Sequence, residues 1–229
     1  LNVTRDANGF CWSYSPLDRS AVVNASLLAA ETVMRAGAMD RDRRAVDQVR
    51  GTVEWCLAKQ SPDGGWAYGE AKHHRWEDSF HTGFNIASLS AIRAAASELG
   101  VDPDSLIPAE RLQRAYVHYA ETFFDRDGRP WYYSHTPWPI DPHAAAVGIL
   151  THLSFAREFP DAPRRAERTL RWTIEHMWLE DKGWFAFRKW RWGRITIPYL
   201  RWCQAWMLLA MAEFEAFRRK SPDISSAGH

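Results

Sequence analysis

The sequence echoes itself about every 60 residues, and no other property limits its fold as strongly. Trp12 and Tyr14 are followed by Asn24-Ala-Ser-Leu, just as Trp66 and Tyr68 are followed by Asn85-Ile-Ala-Ser-Leu. Trp131 and Tyr133 give a third copy, and Phe185 and Phe187 a degenerate fourth. The helix position of Asn24 recurs at Asn85, Ala146 and Gln204. Each unit holds two helix-length segments, which is the signature of stacked helical hairpins.

The segments alternate in character. Residues 19–36, 79–98, 142–155 and 198–217 are apolar with few charges, so each predicts an inner helix buried on most sides. Residues 41–59, 109–124 and 164–178 interleave charges with apolar positions at helical spacing and predict outer helices with one wet face. Asp18 is placed to cap the first inner helix, Gly37 and Asp40 to end it, and Ser61-Pro-Asp-Gly-Gly to stop the first outer helix. No convincing strand run is present. The expected class is all-α, an α/α toroid, with one domain over residues 1–220 in repeats of about 1–60, 61–125, 126–180 and 181–220, and a disordered tail at 221–229. Four inner helices make an open arc, whereas a ring of six hairpins takes roughly 350 residues at this period. Missing repeats or a homo-oligomer are therefore expected, as is the start of the chain inside a loop.

Composition narrows the partners. A net charge of +1 with both signs mixed along the chain leaves no footprint for nucleic acid or an anionic membrane. No apolar run is long enough for a membrane span, and no leader is visible, so a soluble protein is expected, with the cytoplasm the favoured compartment. Cys11, Cys56 and Cys203 are far apart and odd in number, which predicts buried thiols and neither a disulfide framework nor a zinc site. No cofactor is implied. The 13 tryptophans are the unusual feature, and most of them fall in the loops between helices. In a hairpin toroid the loops that enter inner helices share one end, so function is expected there.

Those loops carry the candidate residues. Glu77, Asp78 and His81 lie together at an inner-helix N-terminus, where a carboxylate can cap amides or, beside a histidine, serve as a general acid or base. Asp141 and His143 occupy the same place in the next repeat. Tyr14, Trp66, Tyr68, Trp76, Tyr133 and Trp138 are candidates for stacking on sugar rings, although an aromatic at a fixed repeat position also packs on the next hairpin. Arg201 suits a substrate carboxylate, and Gln204 either a substrate or an interhelix bond. The spacing of His73, His74, His81 and His143 matches no recognised metal site.

Two resemblances follow from these residues. Gln60-Ser-Pro-Asp-Gly-Gly-Trp66 resembles the QW motif of terpenoid cyclase and prenyltransferase toroids; the other repeats lack it in full, and no Asp-x-Asp-Asp occurs. The run from Trp66 through Trp76-Glu-Asp-Ser-Phe-His-Thr-Gly-Phe-Asn85, with Arg201-Trp-Cys-Gln-Ala-Trp206, is similar to glycan-active α/α toroids. These include unsaturated glucuronyl hydrolases, helical domains of polysaccharide lyases and the C-terminal domain of glucuronyl C5-epimerases, alongside proteins of bacterial polysaccharide gene clusters. The resemblance implies a glycan substrate carrying uronic acid and a hydrolase, lyase or epimerase-like activity. A non-catalytic glycan-binding or assembly domain and a terpenoid-cyclase-like toroid are the alternatives.

Overall fold

The computed structural model describes residues 1–220; the tail expected at 221–229 lies outside the described residues. Helix dominates, in seven α-helices among those residues. They are α1 (Val23–Asp40), α2 (Arg44–Ala58), α3 (Ser79–Glu98), α4 (Ala109–Thr122), α5 (Pro142–Ser154), α6 (Ala162–Met177) and α7 (Ala205–Lys220), the last preceded by a π-helical turn at Leu200–Gln204. All seven expected helix segments are present, but α7, expected to be buried on most sides, buries only Met207 and Ala210.

The chain divides into two compact units, Leu1–Glu77 with His81–Tyr119, and Asp78–Phe80 with the chain from Ala120 onward. In the first unit, α1 buries Val23, Leu27, Ala30 and Met34 and packs along α2, whose Val49, Val53 and Cys56 are fully enclosed. Gly37 does not end α1 as expected. It lies three residues before Asp40, the last residue of α1, and has no room for a side chain against the Cβ of Ala45, so it brings the two helices together. The helix stops instead at Arg41, in the left-handed conformation at φ 55°.

Asp18 is not the helix cap either. Its carboxylate takes the Ser20 amide at 2.9 Å and the Ser15 hydroxyl at 2.7 Å, holding a turn, while Ala21 and Val22 stay extended and bridge Ser13 and Gly69. Ahead of it β1 (Val3–Asp6) and β2 (Gly9–Trp12) pair antiparallel, with Asp6 opposite Gly9. The hairpin is pinned to α2 by Thr52 Oγ1 on the Phe10 carbonyl (3.0 Å) and Trp55 Nε1 on Asp6 (3.0 Å).

In the second unit α5 is enclosed along nearly its whole length between α6 and α7. Its core joins Ile140, Ala145, Ala146 and Ile149 to Met177, Phe185, Cys203 and Met207. Two small hairpins fill the loop before α7: β3 (Trp178–Leu179) with β4 (Trp184–Phe185), and β5 (Arg188–Trp190) with β6 (Gly193–Ile195). The fourth inner helix, expected from about residue 198, begins as the π-helical turn Leu200–Gln204 and is α-helical from Ala205. All three cysteines are free and buried, and burial pushes the Cys203 thiol up to about 12. No helix among the described residues is long and apolar enough to cross a membrane.

Candidate functional site

In the first unit the loop after α2 is closed by the residues of the Gln60–Trp66 motif. The Gln60 side chain donates to the Gly64 carbonyl (3.0 Å) and the Arg111 carbonyl (3.1 Å) and accepts from Arg111 Nε (2.5 Å). Arg111 also reaches back to the Leu57 carbonyl. The motif thus ties the end of α2 to the start of α4. Trp66 is 2% exposed and donates its indole N–H to the Cys56 carbonyl at 2.9 Å. It has no surface for a ligand, which corrects its candidacy as a stacking residue.

Beyond Trp66 the chain folds onto the head of α1: Val23 donates to the Tyr68 carbonyl (3.1 Å) and Glu70 to the Ala21 carbonyl (3.0 Å). A returning strand of loop sets Trp76 flat on Tyr68, rings 4.4 Å apart at 8°, with the His81 ring 4.6 Å from Tyr68 and tilted. Each of these three side chains is half-buried and keeps some surface. Glu77, by contrast, is held from α4: its Oε1 meets His118 Nε2 at 2.8 Å, and the other ring nitrogen faces Asp63 at 3.3 Å. Burial alone would lower the His118 pKa, but the hydrogen bond and charge of Glu77, with Asp63, raise it overall. Glu77 is therefore committed to an ion pair. Tyr14 stands 62% exposed on its own loop.

The second unit brings together Asp78, Asp141, Arg188, Tyr132 and His143. Asp141, 3% exposed, caps α5 by accepting the His143 amide at Oδ1 (2.9 Å), and its Oδ2 meets Arg188 Nε at 2.9 Å. Arg188 extends to the Tyr132 hydroxyl at 3.2 Å. Asp78, 1% exposed, forms a backbone bridge with Tyr133, and the Ser79 amide donates to the Tyr132 carbonyl at 3.0 Å. The Asp141 carboxyl is pushed above the ordinary carboxylate range by burial, with the Asp78 charge acting in the same direction and Arg188 and the His143 amide opposing both. Burial also raises the Tyr132 phenol. The His143 ring lies 5.0 Å from Phe80 and 5.1 Å from Trp206. Trp138 and Tyr133 are half-buried in the loop before α5.

Gln204 takes a structural place: it accepts the Phe185 amide (3.0 Å) and donates to the Phe185 carbonyl (2.8 Å), so its amide locks β4 to the turn before α7. Arg201 is exposed in that turn with its guanidinium over Trp202 at 5.1 Å. The arginine that meets a buried carboxylate is Arg188, which the sequence did not single out. His118, on an outer helix, was missed as well; neither has a repeat partner to mark it. Among the described residues no group of three or more His, Cys, Asp or Glu side chains is placed to hold a metal ion.

No family model matches the sequence, and no curated protein matches it. Solved structures do match in fold. The cellobiose 2-epimerase of Spirochaeta thermophila superposes with a TM-score of 0.61 at 11% identity, over 87% of this chain and 54% of that one. The unsaturated glucuronyl hydrolase of a Bacillus species, responsible for glycosaminoglycan degradation, gives 0.59 at 14% identity, over 87% and 58%. The ent-copalyl diphosphate synthase of Streptomyces platensis gives 0.57 at 16% identity, over 92% and 36%. The fold is that of the α/α toroids, and the chain spans little more than half the length of the two glycan-processing structures.

Proposed function

We propose that this chain carries an acid/base pair of a glycan-processing enzyme acting on uronic-acid-containing saccharides, as a hydrolase, lyase or epimerase-like catalyst. One observation carries the reading: Asp141 is a buried carboxyl with a raised pKa beside a second buried carboxyl, Asp78. A general acid needs a proton near neutral pH, and burial next to a like charge is the physical means of keeping one. In this scheme Asp141 donates the proton and Asp78 is the base of the pair. Arg188 holds Asp141 in place and, being part-exposed, offers its remaining N–H groups to a sugar carboxylate. Tyr133 and Trp138 supply aromatic surface in the same unit. In the other unit Tyr68, Trp76 and His81 form a surface suited to the C–H face of a sugar ring. The likeness to the epimerase and the glucuronyl hydrolase supports the fold on which such chemistry is found.

A second reading has its own observation. Both Asp141 oxygens already accept hydrogen bonds, one as the α5 cap and one from Arg188. That arrangement suits a glycan-binding domain in which the carboxylate is purely structural. The experiment that separates these readings incubates the full chain with uronic-acid-containing oligosaccharides. It follows reducing ends, absorbance of unsaturated products and deuterium uptake at sugar carbons, which report hydrolysis, elimination and epimerisation in turn. Binding without any of the three would leave the binding domain as the function.

A further inference from the structure

The two signs of charge, mixed along most of the chain, segregate after Asp181. From there to Glu213 the sequence holds Lys182, Arg188, Lys189, Arg191, Arg194 and Arg201 and no Asp or Glu at all. Since the whole chain is at +1, the remainder is net acidic. A count over the full length hides this stretch.

The β5–β6 hairpin lifts that composition off the fold. Its base is fixed: Ile140 and Lys189 exchange backbone hydrogen bonds (2.8 and 3.0 Å), Arg188 meets Asp141, and Trp184 donates its indole N–H to the Thr196 carbonyl (2.8 Å). Beyond the base, residues 190–195 are all exposed, so both faces of the ribbon meet solvent, and Trp192 at its tip is 89% exposed. The connection to α7 continues the surface, with Ile197 55%, Leu200 73% and Trp202 49% exposed. Arg191 and Arg201 lie over the rings of Trp192 and Trp202 at 5.5 and 5.1 Å. Among the described residues neither they nor Arg194 are in an ion pair.

We propose that the β5–β6 hairpin and the turn before α7 form a docking surface for an anionic lipid bilayer, with Trp192 and the aliphatic side chains entering the headgroup region and Arg191, Arg194 and Arg201 meeting lipid phosphates. Charge complementarity selects the partner, because cations without neighbouring acids are drawn to the negative surface potential of such a membrane. Tryptophan is suited to the boundary between headgroups and acyl chains, and arginine can keep its charge in water while its stem lies on apolar surface. Peripheral binding of this kind gains from buried apolar area and from lipid charge together. A soluble polyanion fits less well. Residues 187–202 contain no Asn, Gln, Ser, Asp or Glu to read sugar hydroxyls or base edges, and Ile195, Ile197 and Leu200 offer such a chain nothing. Membrane attachment here stands whether or not Asp141 transfers a proton.

The test sediments the full chain with vesicles of phosphatidylcholine and phosphatidylglycerol, and in parallel with vesicles of phosphatidylcholine alone. Binding to the anionic vesicles is expected, about tenfold or more weaker for the neutral ones and weakened by added salt. The double variant Arg191→Ser with Arg194→Ser should bind the anionic vesicles about tenfold or more weaker, and Trp192→Ser about threefold or more, each with unchanged circular dichroism. Failure to bind the anionic vesicles would overturn the proposal, as would equal binding by both variants. So would hairpin-dependent binding to hyaluronan or single-stranded DNA without binding to vesicles, which would make a soluble polyanion the partner.

Discussion

Arg188 Nε lies 2.9 Å from Asp141 Oδ2 although the two residues are 47 apart in sequence, and the pair joins the β5 strand to the head of α5. With the Asp141 side chain 3% exposed, removing Arg188 leaves its Oδ2 buried without that donor and takes away the charge that opposes protonation. Arg188→Ala should therefore destabilise the fold by roughly 2–3 kcal/mol, toward the lower end for buried pairs because Arg188 itself is part-exposed. Asp141→Asn should cost less, since an asparagine still caps the helix. Urea denaturation of both variants checks the order.

His118 makes stability depend on pH. Its folded-state pKa is raised, so its stabilising contribution is complete below its unfolded value of about 6.5 and is lost as pH climbs through the higher folded value. Asp141, also raised, acts with the same sign, but above its unfolded value in the carboxylate range. Wild-type stability should fall between pH 6 and pH 8, and His118→Gln should flatten that slope. Denaturation midpoints at the two pH values decide it; an unchanged slope in the variant would show that the Glu77 pair contributes nothing.

The two tryptophans of the first-unit loop should separate cleanly. Trp66→Ala removes a core side chain and a buried hydrogen bond, with an expected cost of about 3–5 kcal/mol in stability. Trp76→Ala should change stability little and weaken binding of a uronic-acid oligosaccharide by about 1 kcal/mol through loss of its aromatic face. Thermal melts and calorimetric titration of the two variants measure both effects.

The helical frame was legible because its signals are periodic and local. The apolar run at α3 and the Asp-Pro pair at Asp141 and Pro142 mark helix starts that the structure keeps. The hairpins were not legible from apolar alternation, since their strands are two to four residues long; the Asn8-Gly9 pair, beside the two-residue turn Ala7-Asn8, was the available sign. Gly37 misled because a glycine that ends a helix and one that lets two helices approach look alike in sequence. Asp141 and Asp78 could be named because helix starts concentrate carboxylates. Arg188, the partner of Asp141, could not, because it reaches the site from the degenerate fourth repeat, where no period marks it.

The central claim is that Asp141 donates a proton to the saccharide. Its most direct test is the turnover of a uronic-acid-containing oligosaccharide by the wild-type chain and by Asp141→Asn, with circular dichroism to show equal helicity. The asparagine keeps an oxygen for the α5 cap and removes the ionisable proton together with the acceptor that meets Arg188. A fall of about 10²-fold or more in kcat with the fold intact is the predicted result. Turnover within a few-fold of wild type would contradict the claim and leave Asp141 as a helix cap held by Arg188.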